Sequence, residues 1–431
     1  MEHIIETERK TEVAGNYDVI VAGGGPAGII AALSAARNGA KTLIVERWGF
    51  LGGNLTAGYV MNIRNYSDNA GNVIIGGISL EFVQRLEKIG GTLGKPSAPL
   101  VRQSPEHVKF LCDTMMSEAG VEILYHSFIA GAFTENNKVK GIIVENKSGR
   151  QVFLADVVID ATGDGDVIYH SGADFFKSPD KSGLQPMTLA FIMGGVPTDT
   201  WPDVVTEERY FAFQNAYDKY GYPSKNRSFA LFPTLRKGEV YANITRSFGD
   251  CTNAKDITMS EIECRKQVHE LIEWFRKYIP GFRDCYLVST APQTGTRESR
   301  RLKGLYTLTR EDILGYREFD DRICRGAYGI DVHSGRDDTG IMIHLKPGFS
   351  YTIPYRCLVP EKIDGLIAAG RCVSADREAL GSIRVMAICM AMGEAAGAAA
   401  ALSVSSGKEP KNIDIKGLKE ILIRQKVILD A

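Results

Sequence analysis

The 431-residue sequence has few of the residue patterns that bind structural metals or form redox pairs. Its eight cysteines are scattered along the chain, and none belongs to a Cys-x-x-Cys motif. The seven histidines have no spacing typical of metal ligands. These absences argue against a zinc site and against a dithiol centre. We therefore expect reduced thiols, as in cytoplasmic proteins, and no bound metal.

The net charge is close to zero, and long apolar runs are few. The formal net charge is −1, which predicts no general attraction to nucleic acid or to an anionic membrane. Residues 1–16 contain no apolar core of a signal peptide. The most apolar long segment, Val385 to Ser403, is rich in alanine and carries Glu394, so it predicts a buried helix rather than a membrane span. The sequence indicates a soluble, cytoplasmic globular enzyme.

The clearest positive signal lies between Tyr17 and Glu46. An apolar run ends in the loop Gly23 to Gly28, GGGPAG, which fits the pattern G-x-G-x-x-G. An alanine-rich helix follows, and then a second apolar run that ends at Glu46. This is the dinucleotide fingerprint in its strand–turn–helix–strand setting, with an acid placed to bind a ribose hydroxyl. The motif predicts a nucleotide site but does not distinguish NAD from FAD.

Hydrophobic spacing predicts several further elements. Helices are expected over residues 79–89, 105–118, 259–279 and 415–423, the third beginning at a capping box formed by Thr258 and Glu261. Four short β segments between residues 121 and 154 predict a small antiparallel meander. A separate apolar strand, residues 157–160, is expected to follow it.

The residue composition and the strand pattern change at about Phe175, and the earlier α/β pattern returns near Tyr355. Between these points aromatic residues are dense and the strands are short. We therefore predict an α/β fold with two domains. A Rossmann-like nucleotide-binding domain with a β-meander would comprise residues 1–175 and 356–431. An inserted α+β substrate domain, residues 176–355, would interrupt it.

Three later segments favour FAD as the nucleotide. They are DATGDGD at 160–166, GLIAAGR at 365–371 and GSIR at 381–384. The first two read as strand ends that return to the nucleotide-binding sheet. The third is expected to open the helix that contains Gly393 and Gly397.

At this point the chain resembles a known family. VIVAGGGPAG, ERWGFLGGNLTAG, VVIDATGDGD and the long segment from GLIAAGR to GEAAG together resemble the FAD-dependent oxidoreductase family of glutathione-reductase-type flavoproteins. GTRESRR at 295–301 and GIDVH at 329–333 more narrowly resemble a bacterial branch of that family. The resemblance extends from about Tyr17 to Leu429. It implies tightly bound, non-covalent FAD.

The resemblance also implies the residues that contact FAD. The glycine-rich loop would hold the pyrophosphate, Glu46 would bind the adenosine ribose, and Arg47 would lie beside the adenine. The complete set of expected contacts is Gly23, Gly25, Pro26, Ala27, Gly28, Glu46, Arg47, Gly52, Gly53, Asn54, Ile129, Gly163, Asp164, Gly370, Arg371, Ser382, Ile383 and Arg384. A helix N-terminus near the last three would stabilise negative charge on the reduced ring, and Arg384 would add to this unless it is a surface or ion-pair arginine.

Two departures from related enzymes narrow the class. Only one G-x-G-x-x-G loop is present and no Cys-x-x-x-x-Cys dithiol exists, which argues against disulfide reductases with a second NADPH domain. GDGDVIYHSG is similar to the signature of aromatic hydroxylases, but the arginine expected downstream of it is missing.

Candidate catalytic residues lie in the inserted region. Arginines bind carboxylates and phosphates in a bidentate manner, so Arg297 or Arg301 is expected near the flavin–substrate interface. The alternatives are a structural ion-pair cluster, or an Arg297 that contacts FAD alone. His333 is the candidate acid/base, although an isolated histidine is often structural. Tyr351 is expected to approach the flavin, with packing as its alternative role.

These observations predict an FAD-dependent oxidoreductase. It would exchange a hydride between flavin N5 and a small, oxygen-rich or anionic substrate, while His333 moves a proton. One alternative is an NAD(P)H-dependent flavin reductase or monooxygenase. Another is a non-catalytic binding or escort protein with a flavin fold. The expected partner is a small molecule, with no nucleic acid and no membrane, and self-association is left open.

Overall fold

The structure is a computed structural model that describes residues 4, 8–95, 98, 100–180, 183–198, 207–224, 229–335 and 339–430. The helices in these ranges are α1 (Pro26–Arg37), α2 (Gly77–Lys88), α3 (Pro105–Ala119), α4 (Asp166–Ser171), α5 (Glu207–Tyr220), α6 (Ala254–Tyr278), α7 (Arg310–Leu314), α8 (Arg377–Ile383), α9 (Met386–Ser406) and α10 (Ile415–Arg424).

The strands in the same ranges are β1 (Glu12–Ala22), β2 (Thr42–Val45), β3 (Asn62–Arg64), β4 (Thr92–Leu93), β5 (Leu100–Gln103), β6 (Glu122–Leu124), β7 (Phe128–Glu135), β8 (Lys138–Asn146), β9 (Gly149–Asp160), β10 (Phe175–Phe176), β11 (Phe191–Gly194), β12 (Leu231–Pro233), β13 (Val240–Ala242), β14 (Tyr286–Thr290), β15 (Arg301–Leu302), β16 (Arg322–Gly326), β17 (Ile330–His333), β18 (Gly340–Ile343), β19 (Tyr351–Pro354) and β20 (Leu366–Ala368).

The main sheet has the strand order β6-β2-β1-β9-β8-β7, and β20 also pairs with β9. β6, β2, β1, β9 and β20 run parallel, whereas β8 and β7 are antiparallel. The apolar runs of β1, β2 and β9 are buried, as expected for parallel strands that are covered on both faces. The predicted α/β class with a Rossmann-like nucleotide-binding sheet is confirmed.

Strand β9 joins the parallel sheet to the meander. Its first half, Gly149 to Leu154, pairs with β8, and its second half, Val158 to Asp160, pairs with β20. The prediction of two separate strands here is wrong, because one continuous strand of 12 residues serves both partners. The meander also begins later than predicted, since β6 pairs in parallel with β2.

Helices α1 and α9 pack on the sheet at very short range. A Cβ atom at Gly393 would lie 2.1 Å from the carbonyl oxygen of Ala27, and one at Gly397 would lie 2.1 Å from that of Ala31. Only glycine permits this approach. By length and composition α9 could cross a membrane, but 89% of its most apolar window is buried inside the protein. It is the buried helix that its alanine content predicts.

A carboxylate on α9 caps the start of α2. Glu394 is fully buried, and its Oε2 accepts hydrogen bonds from the backbone N–H groups of Ile78, at 2.9 Å, and Ser79, at 3.4 Å. Gly77 leaves room for the carboxyl group, because a Cβ there would lie 2.4 Å from Oε2. Burial raises the pKa of Glu394 to about 8.

The inserted region has a small sheet of its own, in the order β12-β13-β11-β14, with α6 packed against it. Its core, which includes Phe213, Phe229 and Phe275, forms a hydrophobic cluster distinct from that of the nucleotide-binding part. Helix α6 begins five residues before the predicted start, because Asn253 caps it by accepting from Lys255 N and Asp256 N. Thr258 lies inside the helix, so the predicted capping box is wrong.

Candidate functional site

The turn between β1 and α1 has the backbone geometry that its glycines require. Gly23 has φ +100°, and a Cβ on Gly28 would lie 1.9 Å from the carbonyl oxygen of Gly23. A Cβ on Gly25, by contrast, would have no described atom within 4 Å. Pro26 is the first residue of α1, where its missing N–H costs no hydrogen bond. The loop therefore packs tightly on one side and leaves open space above Gly25.

That open space belongs to a cavity of about 150 Å³, here called the nucleotide cleft. Most of the predicted cofactor contacts line it: Gly23, Gly25, Pro26, Ala27, Glu46, Arg47, Gly53, Asn54, Ile129, Gly163, Asp164, Gly370, Arg371 and Arg384. The sequence prediction missed Trp48, Gln293, Thr296, Met386 and Cys389, which line it as well. The cleft thus collects residues from the start, the middle and the end of the chain.

Four predicted contacts lie behind these lining residues: Gly28, Gly52, Ser382 and Ile383. Gly28 packs against the turn, whereas Ile383 is in the core. Ser382 is buried and donates to the carbonyl oxygen of Tyr328. Ser382 and Ile383 do not line the cleft because the segment GSIR does not open a helix as predicted. It ends α8, and the long helix α9 begins at Met386.

Glu46 is more occupied than the sequence predicts. Its Oε2 accepts from the Gly24 N–H at 2.8 Å and its Oε1 from the Trp48 N–H at 3.0 Å, so the carboxylate ties the loop to the end of β2. Burial raises the pKa of Glu46 above its ordinary value. Each oxygen keeps a second lone pair, so a ribose hydroxyl can still donate to it.

A buried ion pair joins three separate segments at the floor of the cleft. Arg371 donates to Asp164 Oδ1 at 2.7 Å, to Thr296 Oγ1 at 2.9 Å and to Ser299 Oγ at 2.9 Å. Burial raises the pKa of Asp164, but the Arg371 guanidinium outweighs it and holds that pKa below the ordinary value. The charge of Arg371 is therefore compensated inside the protein.

Gln293 closes the other end of the cleft. Its Oε1 accepts from Trp48 Nε1 at 3.2 Å and also from the Arg47 guanidinium. Its backbone N–H donates to the carbonyl oxygen of Ala57 at 3.0 Å. Gln293 follows β14 in the inserted region, whereas Arg47 and Trp48 follow β2. We call this contact the Gln293 clasp.

A second cavity, of about 240 Å³, lies beside the nucleotide cleft. The two share the lining residues Asn54, Thr296, Arg371, Arg384 and Met386. Arg64 and Arg297 also line the second cavity, which we therefore call the arginine cavity. Asp331 and His333, two positions apart on β17, line it from the same face of that strand.

His333 contacts groups of opposite charge at its two ring nitrogens. Nδ1 lies 3.3 Å from a guanidinium nitrogen of Arg246, and Nε2 lies 3.4 Å from Asp331 Oδ1. Burial, together with the positive charge of Arg297, lowers the pKa of His333, so the ring is neutral near pH 7. Because a guanidinium can only donate, this network assigns the ring proton to Nε2.

Arg297 is partly buried and has no carboxylate in hydrogen-bond contact among the described residues. It donates to the carbonyl oxygen of Pro186 at 2.7 Å and to Thr188 Oγ1 at 2.8 Å. Burial and repulsion from Arg384 lower the pKa of Arg297 to about 9, which leaves it positively charged near pH 7. Arg384 instead donates to the carbonyl oxygen of Asp331, at 2.8 Å, and to its Oδ2, at 3.3 Å.

The other two candidate catalytic residues lie in the core, away from the lining of either cavity. Arg301 is buried on β15 and pairs with Glu298 Oε1 at 2.7 Å. Tyr351 is fully buried, and its hydroxyl lies 2.6 Å from Ser382 Oγ. Their contacts are those of the ion-pair and packing roles that were the alternatives for them.

The sequence is similar to those of several known proteins. A model of the family described as FAD dependent oxidoreductase matches residues 18–422. Thiamine thiazole synthase of Aeropyrum pernix is 33% identical over 163 residues, which are 35% of this chain and 56% of that protein. The tRNA uridine 5-carboxymethylaminomethyl modification enzyme MnmG of Christiangramia forsetii is 30% identical over 162 residues, 33% of this chain and 23% of that enzyme. The chain thus spans about half of the first relative and about a quarter of the second.

Solved structures are similar at low identity. A geranylgeranyl bacteriochlorophyll reductase-like protein from Thermoplasma acidophilum has a TM-score of 0.47 and 15% identity, over 96% of this chain and 84% of that chain. L-proline dehydrogenase from P. horikoshii has a TM-score of 0.44 and 14% identity, over 94% of this chain and 96% of that chain. At these scores the similarities carry no inference about function.

Proposed function

Since the chain belongs to the family of FAD-dependent oxidoreductases, we propose that it exchanges a hydride between FAD and a small anionic or oxygen-rich molecule bound in the arginine cavity. One observation carries this proposal: the arginine cavity adjoins the nucleotide cleft, and the two share five lining residues. A molecule in the former would lie directly beside a cofactor in the latter.

The cofactor of the family is FAD, and the residues of the nucleotide cleft fit it. The N-terminus of α1 and the space above Gly25 suit a pyrophosphate, because unpaired backbone N–H groups and a positive helix end attract phosphate there. Arg384 lies where the nucleotide cleft adjoins the arginine cavity, and its side chain fits the cofactor there. Its buried Nε has no hydrogen-bond partner among the described residues and could donate to the cofactor. FAD, when bound, supplies a hydride acceptor or donor at N5.

Residues of the arginine cavity would orient the substrate and move its proton. The positive charge of Arg297 attracts an anion and fixes its position, which places the reacting bond. His333, neutral before the substrate binds, would accept the proton released on oxidation at Nδ1, in place of the hydrogen bond from Arg246, and would return it in the reverse reaction. An anion beside Arg297 offsets the charge that disfavours protonation of His333, so substrate binding would itself make His333 a better base.

The test is anaerobic mixing of the purified yellow holoenzyme with a panel of small organic acids and, separately, with NADH and NADPH. The expected result is loss of the flavin band near roughly 450 nm with at least one acid and with neither nicotinamide cofactor. Bleaching by NAD(P)H alone would instead support the reductase or monooxygenase. In the variant His333→Ala, reduction by the same acid should become slower while its binding persists.

We further propose the family branch, the domain division and the cellular location that the sequence predicts. Membership of the bacterial branch with GTRESRR is supported by the position of that motif, because Thr296 lines both cavities and Arg297 lines the arginine cavity. The division into residues 1–175 with 356–431 and residues 176–355 is supported by the two distinct hydrophobic clusters. We also propose a cytoplasmic location and a small molecule, rather than nucleic acid or membrane, as partner; all eight cysteines are free and buried.

A further inference from the structure

We propose that Arg64 and Arg297 form a carboxylate subsite at the end of the arginine cavity, and that the substrate is a flat, unsaturated or aromatic carboxylate with a hydrogen-bond donor on its body. This inference rests on the proposed function, because it describes the substrate of the same site. Arg64 belongs to no motif and is absent from the sequence-based candidates. It lines the cavity because it follows Asn62 by two positions on β3, which places both side chains on one face.

The charges that line the cavity do not balance. Arg371 is paired with Asp164, and Arg384 with Asp331. Arg297 hydrogen-bonds only a carbonyl and a hydroxyl group, both uncharged. The side chain of Arg64 makes no hydrogen bond or ion pair with any residue in the described part of the chain. Among the residues that the structure describes, neither Arg64 nor Arg297 therefore has an acidic hydrogen-bond partner, and a carboxylate would supply one.

Arg64 and Arg297 line the same cavity. Burial raises the pKa of the Tyr241 hydroxyl above its ordinary value, and the positive charges of Arg297 and Arg64 offset part of this rise. Arg64 has the same lowering effect on the pKa of Tyr328, which burial raises. Tyr241 and Tyr328 both line the cavity. Two guanidinium groups and two phenols thus line one cavity.

The remaining wall indicates the shape of the molecule. Phe232 and Tyr241 stack with ring centroids 5.9 Å apart and planes 24° from parallel, and Ala190 and Ala230 lie beside them. Such a flat apolar wall favours a flat ligand. The Oδ1 atoms of Asn62 and Asn243 are buried and accept no hydrogen bond from a described residue. Buried acceptors of this kind need a donor, which a hydroxyl or amino group on the ligand would provide.

The test measures binding without turnover. Oxidised holoenzyme is titrated with 4-aminobenzoate, benzoate, benzamide and succinate, and binding is followed by calorimetry and by perturbation of the flavin spectrum. We expect 4-aminobenzoate to bind more tightly than benzoate and succinate, and the neutral benzamide to bind most weakly. In Arg64→Met, binding of 4-aminobenzoate should weaken by about tenfold or more, and Arg64→Lys should recover part of the loss.

Arg150→Met is the matched control, because Arg150 lies on β9 and pairs with Glu145, away from the residues that line the cavity. Its affinity should equal that of the wild type. FAD content and melting temperature show whether Arg64→Met is folded; if it is not, Arg64→Lys and Arg297→Lys provide the comparison. Equal binding of benzoate and benzamide, unchanged affinity in folded Arg64 variants, or no carboxylate binding by the wild type would overturn the subsite. Absence of flavin reduction by acids that do bind would overturn the proposed reaction alone.

Discussion

At the scale of single residues, charge determines what the arginine cavity can do. His333 lies between Asp331 and Arg246, with Arg297 near enough to disfavour its protonation. The positive charge of Arg297 disfavours protonation of His333, and an anion bound in the cavity would offset that charge. Occupancy of the cavity and the protonation state of His333 are therefore coupled.

A substitution at Arg297 tests this coupling. Burial and the charge of Arg297 are the two largest causes of the lowered pKa of His333, so Arg297→Met should move that pKa back toward its ordinary value of 6.5. The measurement is a pH titration of the His333 ring signals by NMR. Arg150→Met should leave the titration unchanged. A His333 pKa that is the same in Arg297→Met and in the wild type would show that the charge of Arg297 does not contribute to the lowered value.

Residue-scale features were predictable only where a motif carried them. Gly23, Gly25, Glu46 and Arg371 belong to segments whose order along the chain is specific, and all four line the nucleotide cleft. Arg64 and Gln293 have no such local pattern. Their roles follow from side-chain positions that only the folded chain defines, since each lies opposite residues that are distant in sequence. For Arg301 and Tyr351, residue type alone did not reveal burial.

At the scale of elements, close approach between helices organises the nucleotide-binding part. Glycines of α9 allow it to meet α1, and Glu394 on the same helix caps α2. Local patterns predicted α3 and α10 nearly to the residue, because periodicity, caps and prolines are local signals. The parallel pairing of β6 and the dual pairing of β9 were missed, because strand partners are chosen by tertiary contacts.

The buried carboxyl of Glu394 makes a prediction about stability and pH. Its pKa rises from an ordinary 4.5 to about 8 in the folded protein, so the folded state binds the proton more tightly than the unfolded state. The stability that this group contributes is therefore greatest below about pH 4.5 and falls as pH rises toward 8. Relative to Glu394→Gln, the wild type should lose on the order of 3 kcal/mol of unfolding free energy between pH 5 and pH 8.

Chemical denaturation of both proteins at several pH values measures this difference. Glu81→Gln is the control, because Arg37 holds the pKa of the half-exposed Glu81 below its ordinary value. Its difference from the wild type should stay level between pH 5 and pH 8. A level difference for Glu394→Gln would mean that Glu394 is ionised in the folded protein at pH 5.

At the scale of the whole molecule, the nucleotide cleft is closed by the inserted region. Residues between Gly23 and Cys389 line it, and the segment around Gln293 crosses from the inserted region to the end of β2. The inserted region thus lines both the cleft and the arginine cavity. Under the proposed function it would take part in holding the cofactor.

The Gln293 clasp predicts how fast the cofactor leaves. Gln293→Ala removes the acceptor shared by Arg47 and Trp48, so the holoenzyme should release FAD roughly tenfold faster, as expected for the loss of two hydrogen bonds. The recovery of free-flavin fluorescence after dilution gives the rate. Gln214→Ala is the control, because Gln214 donates only to the nearby Asp218 on α5. Identical release rates in Gln293→Ala and the wild type would remove the clasp from cofactor retention.

The pairing of β20 with the second half of β9 has a consequence for synthesis on the ribosome. Leu366 follows Asp160 by 206 residues, so at ordinary translation speeds roughly 10–40 s separate the appearance of the two partners. Throughout that interval the apolar end of β9 has an unpaired edge, which is the kind of surface that promotes aggregation. The nascent chain is therefore expected to be prone to aggregation until the segment that begins at Leu366 emerges.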